Sequence, residues 1–141
     1  MKTNLSERVL GVFTLGHENV RLVLRPGLGG DFDTAPDDKG ACIIRIGGDT
    51  KSKFRLISVL LHEVLEVSLH RLHARMAVST DFTNSSDTFI FHMDHNQFSM
   101  ACAMSADFIT PALPVLEKAW RKWHRDKKAL LARKKQNAVG A

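Results

Sequence analysis

Residues 51–78 read KSKFRLISVLLHEVLEVSLHRLHARMAV, and this is the strongest helical pattern in the chain. Phe54, Ile57, Leu61, Val64, Leu65, Ser68 and Leu72 recur at steps of three and four residues, the period that lines one face of a helix. Asp49, Thr50 and Ser52 are each suited to cap its start, because a short side-chain oxygen there accepts an otherwise unpaired backbone N–H. The rest of the fold is read outward from this helix.

On its N-terminal side, residues 8–14 (RVLGVFT) and 18–25 (ENVRLVLR) predict two strands joined by a turn at Gly16, His17 and Glu18. Val20, Leu22 and Leu24 alternate with Arg21, Val23 and Arg25, which suits a strand with one covered and one wetter face. RPGLGGDFDTAPDDKG then reads as a long loop, and ACIIRIGG as a third strand ending on two glycines.

On the C-terminal side, DFTNSSD reads as a polar loop and TFIFHM as a short strand, with ACIIRI its expected partner. Asp94 with Gln97 three residues on is a capping box, which predicts a helix from His95 to about Ile109. Pro111 and Pro114 are expected to break the chain, and a last amphipathic helix to run from about Val115 to Arg133. The resulting expectation is an α+β domain over residues 1–135, with a small, mostly antiparallel sheet packed on three helices. Residues 136–141 are expected to form a flexible tail.

Composition sets the outer bounds. The chain has 141 residues, 44% hydrophobic and 25% charged, as an ordinary globular domain does. Cys42 and Cys102 lie far apart in apolar runs, so both are expected to be buried reduced thiols. MKTNLSERVL carries charges where a signal peptide needs an apolar core, and no apolar run approaches the ~20 residues that span a bilayer. A cytoplasmic protein without a membrane partner is the expectation. The net charge of +5 is uneven: the stretch from Glu117 onward has nine Lys/Arg and two acids, while the first 116 residues have eleven and thirteen.

The chemistry-bearing motif is LLHEVLEVSLHRLH. His62 and Glu66 are one helical turn apart, so an imidazole and a carboxylate reach a common point, the i, i+4 geometry by which a helix offers two ligands to one metal ion. Glu63 adjoins the first of them, where a metalloprotease helix carries the general base for metal-bound water. His70 and His73 share the His62–Glu66 side and are possible additional ligands. A catalytic zinc needs three protein ligands, and the third is expected from another element: His95 first, His92 second. The plainer alternative is a His62–Glu66 hydrogen-bonded pair at the border of the core.

Strand ACIIRI, a helix carrying LLHEVLE and a helix opening at DHNQFSMACAMSADFI together resemble the minimal zincin core of small phage metallopeptidase-like proteins, over roughly residues 41–114. Those proteins have a strand, an HExxH helix, and a later helix whose first turn gives a glutamate ligand. His62 and Glu63 match the family's His-Glu pair. Glu66 stands where the second histidine belongs, and His95 near the downstream glutamate, so the implied ligand set is still two histidines and one glutamate. The chain equally resembles uncharacterised phage proteins with an HExxE helix, an HxQF segment and a basic tail.

The resemblance implies a zinc-dependent hydrolase or peptidase-like phage protein acting on a protein or peptide in the host cytoplasm. The alternative it leaves is a non-enzymatic phage accessory or morphogenesis protein. A third reading draws on the tail, EKAWRKWHRDKKALLARKK, where Arg121, Lys122 and Arg125 beside Trp120 and Trp123 are candidates for nucleic-acid contact. Against it stands an amphipathic closing helix with Trp120 in the core. RPGLGGD lacks a phosphate-loop pattern, and no GxSxG occurs.

Overall fold

The computed structural model describes residues 5–34, 42–77 and 89–139. Strands β1 (Arg8–Leu15), β2 (Glu18–Arg25), β3 (Gly30–Asp33) and β4 (Cys42–Gly47) precede helix α1 (Lys53–Arg71). Short strands β5 (Arg75–Ala77) and β6 (Phe89–Phe91) follow, and then helix α2 (His95–Val139).

The four-stranded sheet has the order β1-β2-β4-β3 and is mixed rather than mostly antiparallel. β1 pairs antiparallel with β2, β2 parallel with β4, and β3 antiparallel with β4. β2 and β4 carry the dense apolar runs that a central parallel pair buries. Val20, Leu22 and Leu24 stand beside Cys42, Ile44 and Ile46 in register, and all six are buried. The loop expected over residues 25–40 contains β3. TFIFHM contributes β6, whose partner is β5 and not ACIIRI.

Among the described residues two helices cover one face of this sheet, where the sequence predicts three. Leu56, Leu60, Val64 and Val67 of α1 meet Phe108, Ala112, Leu116 and Trp123 of α2 over the apolar face of β2 and β4. The helices run antiparallel: Ser68 Oγ lies 3.3 Å from Ser105 Oγ, and Lys53 Nζ lies 2.9 Å from Glu117. The predicted α1 face is also turned. Phe54 and Leu61 are 83% and 47% exposed, while Leu56, Leu60 and Glu63 are buried.

Pro111 and Pro114 do not break the chain; α2 passes through both. Each proline removes a hydrogen bond to the carbonyl four residues back, and those carbonyls belong to Asp107 and Thr110, both exposed. The prolines stand on the outer, exposed side, where solvent can take the place of the lost donors. On the inner side Phe108, Ala112 and Leu116 are fully buried and hold the helix down on either side of the prolines. Replacing Pro111 or Pro114 by Ala should therefore raise stability by about 1–3 kcal/mol. The helix interior regains a bond, and the loss of proline's stiffening of the unfolded chain offsets part of the gain. A thermal melt reads this directly, and a lower melting temperature in both variants would argue for a real break.

By length and composition α2 is also apolar enough to cross a membrane, although its inner face packs on α1 and the sheet. Cys42 is buried as expected, whereas Cys102 is exposed on the outer side of α2. The Gly48–Asp49–Thr50 turn pins the far half of α2. Asp49 accepts hydrogen bonds from Trp123 Nε1 (3.1 Å), Lys127 Nζ (2.6 Å) and the Gly27 amide (3.0 Å). Trp120 Nε1 donates to the Thr50 carbonyl at 2.8 Å. A side chain at residue 48 would begin 2.7 Å from the Trp123 ring, so only glycine lets the turn approach it.

Candidate functional site

Ser52 caps α1, its side chain accepting from the Arg55 amide, and so fixes where the following turns begin. Nearly three turns on, His62, Glu63 and Glu66 line a groove between α1 and the edge strand β3. The groove has a volume of about 560 Å³ and is bounded on the strand side by Gly30, Asp31 and Phe32. It runs on past Val59 and Ser58 toward Phe54.

Glu63 is the floor of this groove. The residue is 6% exposed, and β3 crosses it at Gly30, where an added Cβ would fall 2.7 Å from Glu63 Cγ. Burial pushes the Glu63 carboxyl above the usual range; the His62 imidazole opposes this, while Glu66 and Asp31 add to it and Arg75 opposes it again. Asp31 itself is held by Arg25 at 2.7 Å and Arg45 at 2.9 Å.

His62 and Glu66 are brought together as their spacing predicts, with Nε2 and Oε1 3.6 Å apart. Two donors each about 2.0–2.2 Å from one tetrahedral ion stand roughly 3.3–3.6 Å apart, so the pair suits a shared ion. The other Glu66 oxygen lies 3.4 Å from Arg75, whose guanidinium sits 5.0 Å over the Phe32 ring.

His95 is not beside them. It is the exposed first residue of α2, and Gln97 in the same turn donates to the Leu72 carbonyl at 3.1 Å. That turn therefore abuts the end of α1, ten residues and about 15 Å along the axis from His62. The capping box that opens α2 forms as expected, with Asp94 and Gln97 bonded reciprocally at 2.8 and 3.0 Å. His92 is exposed at the same end, its amide bonded to the Ala74 carbonyl. His73 closes α1 in the left-handed region (φ 55°), a role set by the backbone. His70 is half-buried; burial, then Arg71, Arg75 and His73, lower its pKa.

Among the described residues no three His, Cys, Asp or Glu side chains converge as a metal site would require. The site as folded thus offers two donors, one fewer than a catalytic zinc takes, and a buried carboxyl beside them. Arg75 escapes a sequence reading that carries the helix to residue 78, where β5 forms, and Gly30, Asp31 and Phe32 escape one that takes residues 25–40 as loop. The one signal for them was the alternation in Gly30-Asp31-Phe32-Asp33, which is the period of a short strand. Arg121, Lys122 and Arg125 lie exposed on α2, away from the groove. No family model, curated protein or solved structure matches this chain.

Proposed function

We propose that the groove between α1 and β3 is a hydrolytic site of the zincin type, with an extended peptide as its substrate class and Glu63 as its proton-accepting group. The observation that carries this reading is the burial of Glu63 at the groove floor. A carboxyl desolvated there is a stronger base than one in water, and its raised pKa lies closer to neutral pH, as proton transfer to and from a reacting group requires. β3 is an edge strand, and its outer backbone groups can pair with a substrate strand. From Arg55 to Glu66 the groove follows α1 for about 16 Å, room for roughly five residues of extended chain.

His62 and Glu66 would be two of the donors to zinc, which when bound supplies an activated water and polarises a carbonyl. Glu63 would accept a proton from the attacking water and return it to the leaving amine. Gly30 keeps the strand close enough to exclude bulk water from that carboxyl. The test is hydrolysis of a mixture of unstructured peptides by the untagged protein, with and without added zinc. Cleavage that rises with zinc and stops with a chelator is expected; no cleavage in either condition overturns the reading.

A second reading has its own observation. Arg75 already sets a positive charge against Glu66, the role a metal ion would otherwise fill. In that reading the groove docks a peptide without cleaving it, in an accessory or morphogenesis protein of the kind the phage resemblance suggests. Binding of the same peptides without turnover would favour it.

A further inference from the structure

We propose that the outer face of the C-terminal half of α2 binds the phosphate backbone of double-stranded nucleic acid, independently of the groove. The helix continues well past its last core contacts, and every residue from 131 to 138 is exposed. At about 100° per residue, Lys118, Arg121, Lys122, Arg125, Lys128 and Lys135 fall within an arc of roughly 140°, opposite the buried Trp123 and Leu116. All six are exposed. They extend over about 25 Å of axis, along which a duplex presents some fifteen phosphates at one per ~1.7 Å.

The acids of this segment offset the stripe only in part: Glu117 reaches Arg121, and Asp126, bound to Arg8, lies near Lys122 and Arg125. Asp126 is held by Arg8 at 2.8 Å. Glu117 is shared between Lys53 at 2.9 Å and Arg121 at 3.5 Å. Lys127, which lies off the stripe, is the cation bound to Asp49. Among the described residues no ion pair engages Lys118, Lys122, Arg125, Lys128 or Lys135.

The stripe's own composition selects the ligand. The residues interleaved on its arc include Ala129, Ala132 and Gln136, and Leu131 beside Lys128 and Lys135 is a single exposed apolar side chain, too little to anchor a helix among lipid headgroups. Single-stranded nucleic acid would need exposed aromatic rings for stacking. Trp123 is fully buried, and Trp120 is tied to the Thr50 carbonyl. What remains is a rigid row of cations on a helix, suited to phosphates fixed in a duplex and carrying no base readout.

The test is fluorescence anisotropy of a labelled duplex of about 25 base pairs with the full chain, from about 50 to 200 mM salt. Six neutralised phosphates give a slope of log affinity on log salt near −5, a loss of about 10³ in affinity over that range. Arg125→Glu/Lys128→Glu/Lys135→Glu should reduce the slope by about half and lower the affinity at least ~100-fold at the low-salt end, with an unchanged melting temperature. A wild-type slope shallower than about −2 overturns the proposal, whatever the variant does. So does a folded triple variant that binds as wild type, or binding to phosphatidylserine vesicles with none to the duplex.

Discussion

Cutting the chain before Trp120 should destabilise the protein by at least about 3–5 kcal/mol, the usual cost of losing one buried Trp, and for a domain of ordinary stability that removes much of the margin. Trp123 is completely buried and plugs the end of the core over the Gly48 turn. The cut also deletes the donors to Asp49 and to the Thr50 carbonyl. A buried acceptor stripped of its partner costs about 1–3 kcal/mol more. Removing only the residues after Arg133 should leave the melt unchanged, because residues 134–138 are exposed. Circular dichroism melts of the three chains read both expectations. Equal melting temperatures for the full chain and the Trp120 truncation would show that the far half of α2 contributes nothing to the core.

Glu63→Gln should abolish hydrolysis in the groove by at least ~100-fold, the usual contribution of a positioned proton transfer, while keeping the fold and any bound metal. It should also stabilise the protein at neutral pH. The Glu63 pKa is raised in the folded state, so between the unfolded and folded values the folded protein holds a proton that the unfolded chain has released. Stability that Glu63 contributes is therefore complete below the ordinary carboxylate range and is lost as pH rises through the folded pKa. Glutamine does not titrate. The variant's melting temperature should match the wild type in acid and exceed it increasingly toward neutral pH. A variant that loses activity and stability together would instead make Glu63 a structural residue.

Local signals in the sequence were sound where a single element decides the outcome. The β1–β2 hairpin, the α1 start and the Asp94–Gln97 capping box all follow from spacing and side-chain chemistry within a few residues, and each forms. What failed was decided between elements. Pro111 and Pro114 read as a break because a proline's local cost is certain, while the compensating burial of Phe108, Ala112 and Leu116 depends on where α1 lies. β3 is hidden because four residues, the first a glycine, have little pattern of their own and are fixed by pairing with β4.

The same distinction governs the site. His62 and Glu66 meet because one helix sets their separation. Glu63 becomes the groove floor only because the buried arc of α1 is turned by about 90° from the predicted face, toward the sheet. Packing against β3 and β4 sets that turn, and no periodicity within residues 51–78 contains it. His95 stays apart because α2, running antiparallel to α1, opens beside the end of α1 and not beside the turn that carries His62.

The most direct test of the groove as a metal-dependent hydrolytic site is zinc stoichiometry by mass spectrometry and titration calorimetry on untagged protein. The wild type and Glu63→Gln should each take up about one equivalent, and Glu66→Ala should take up none because it removes one of the two donors present. A wild-type protein that stays metal-free in excess zinc, with all three chains folded, would contradict the account.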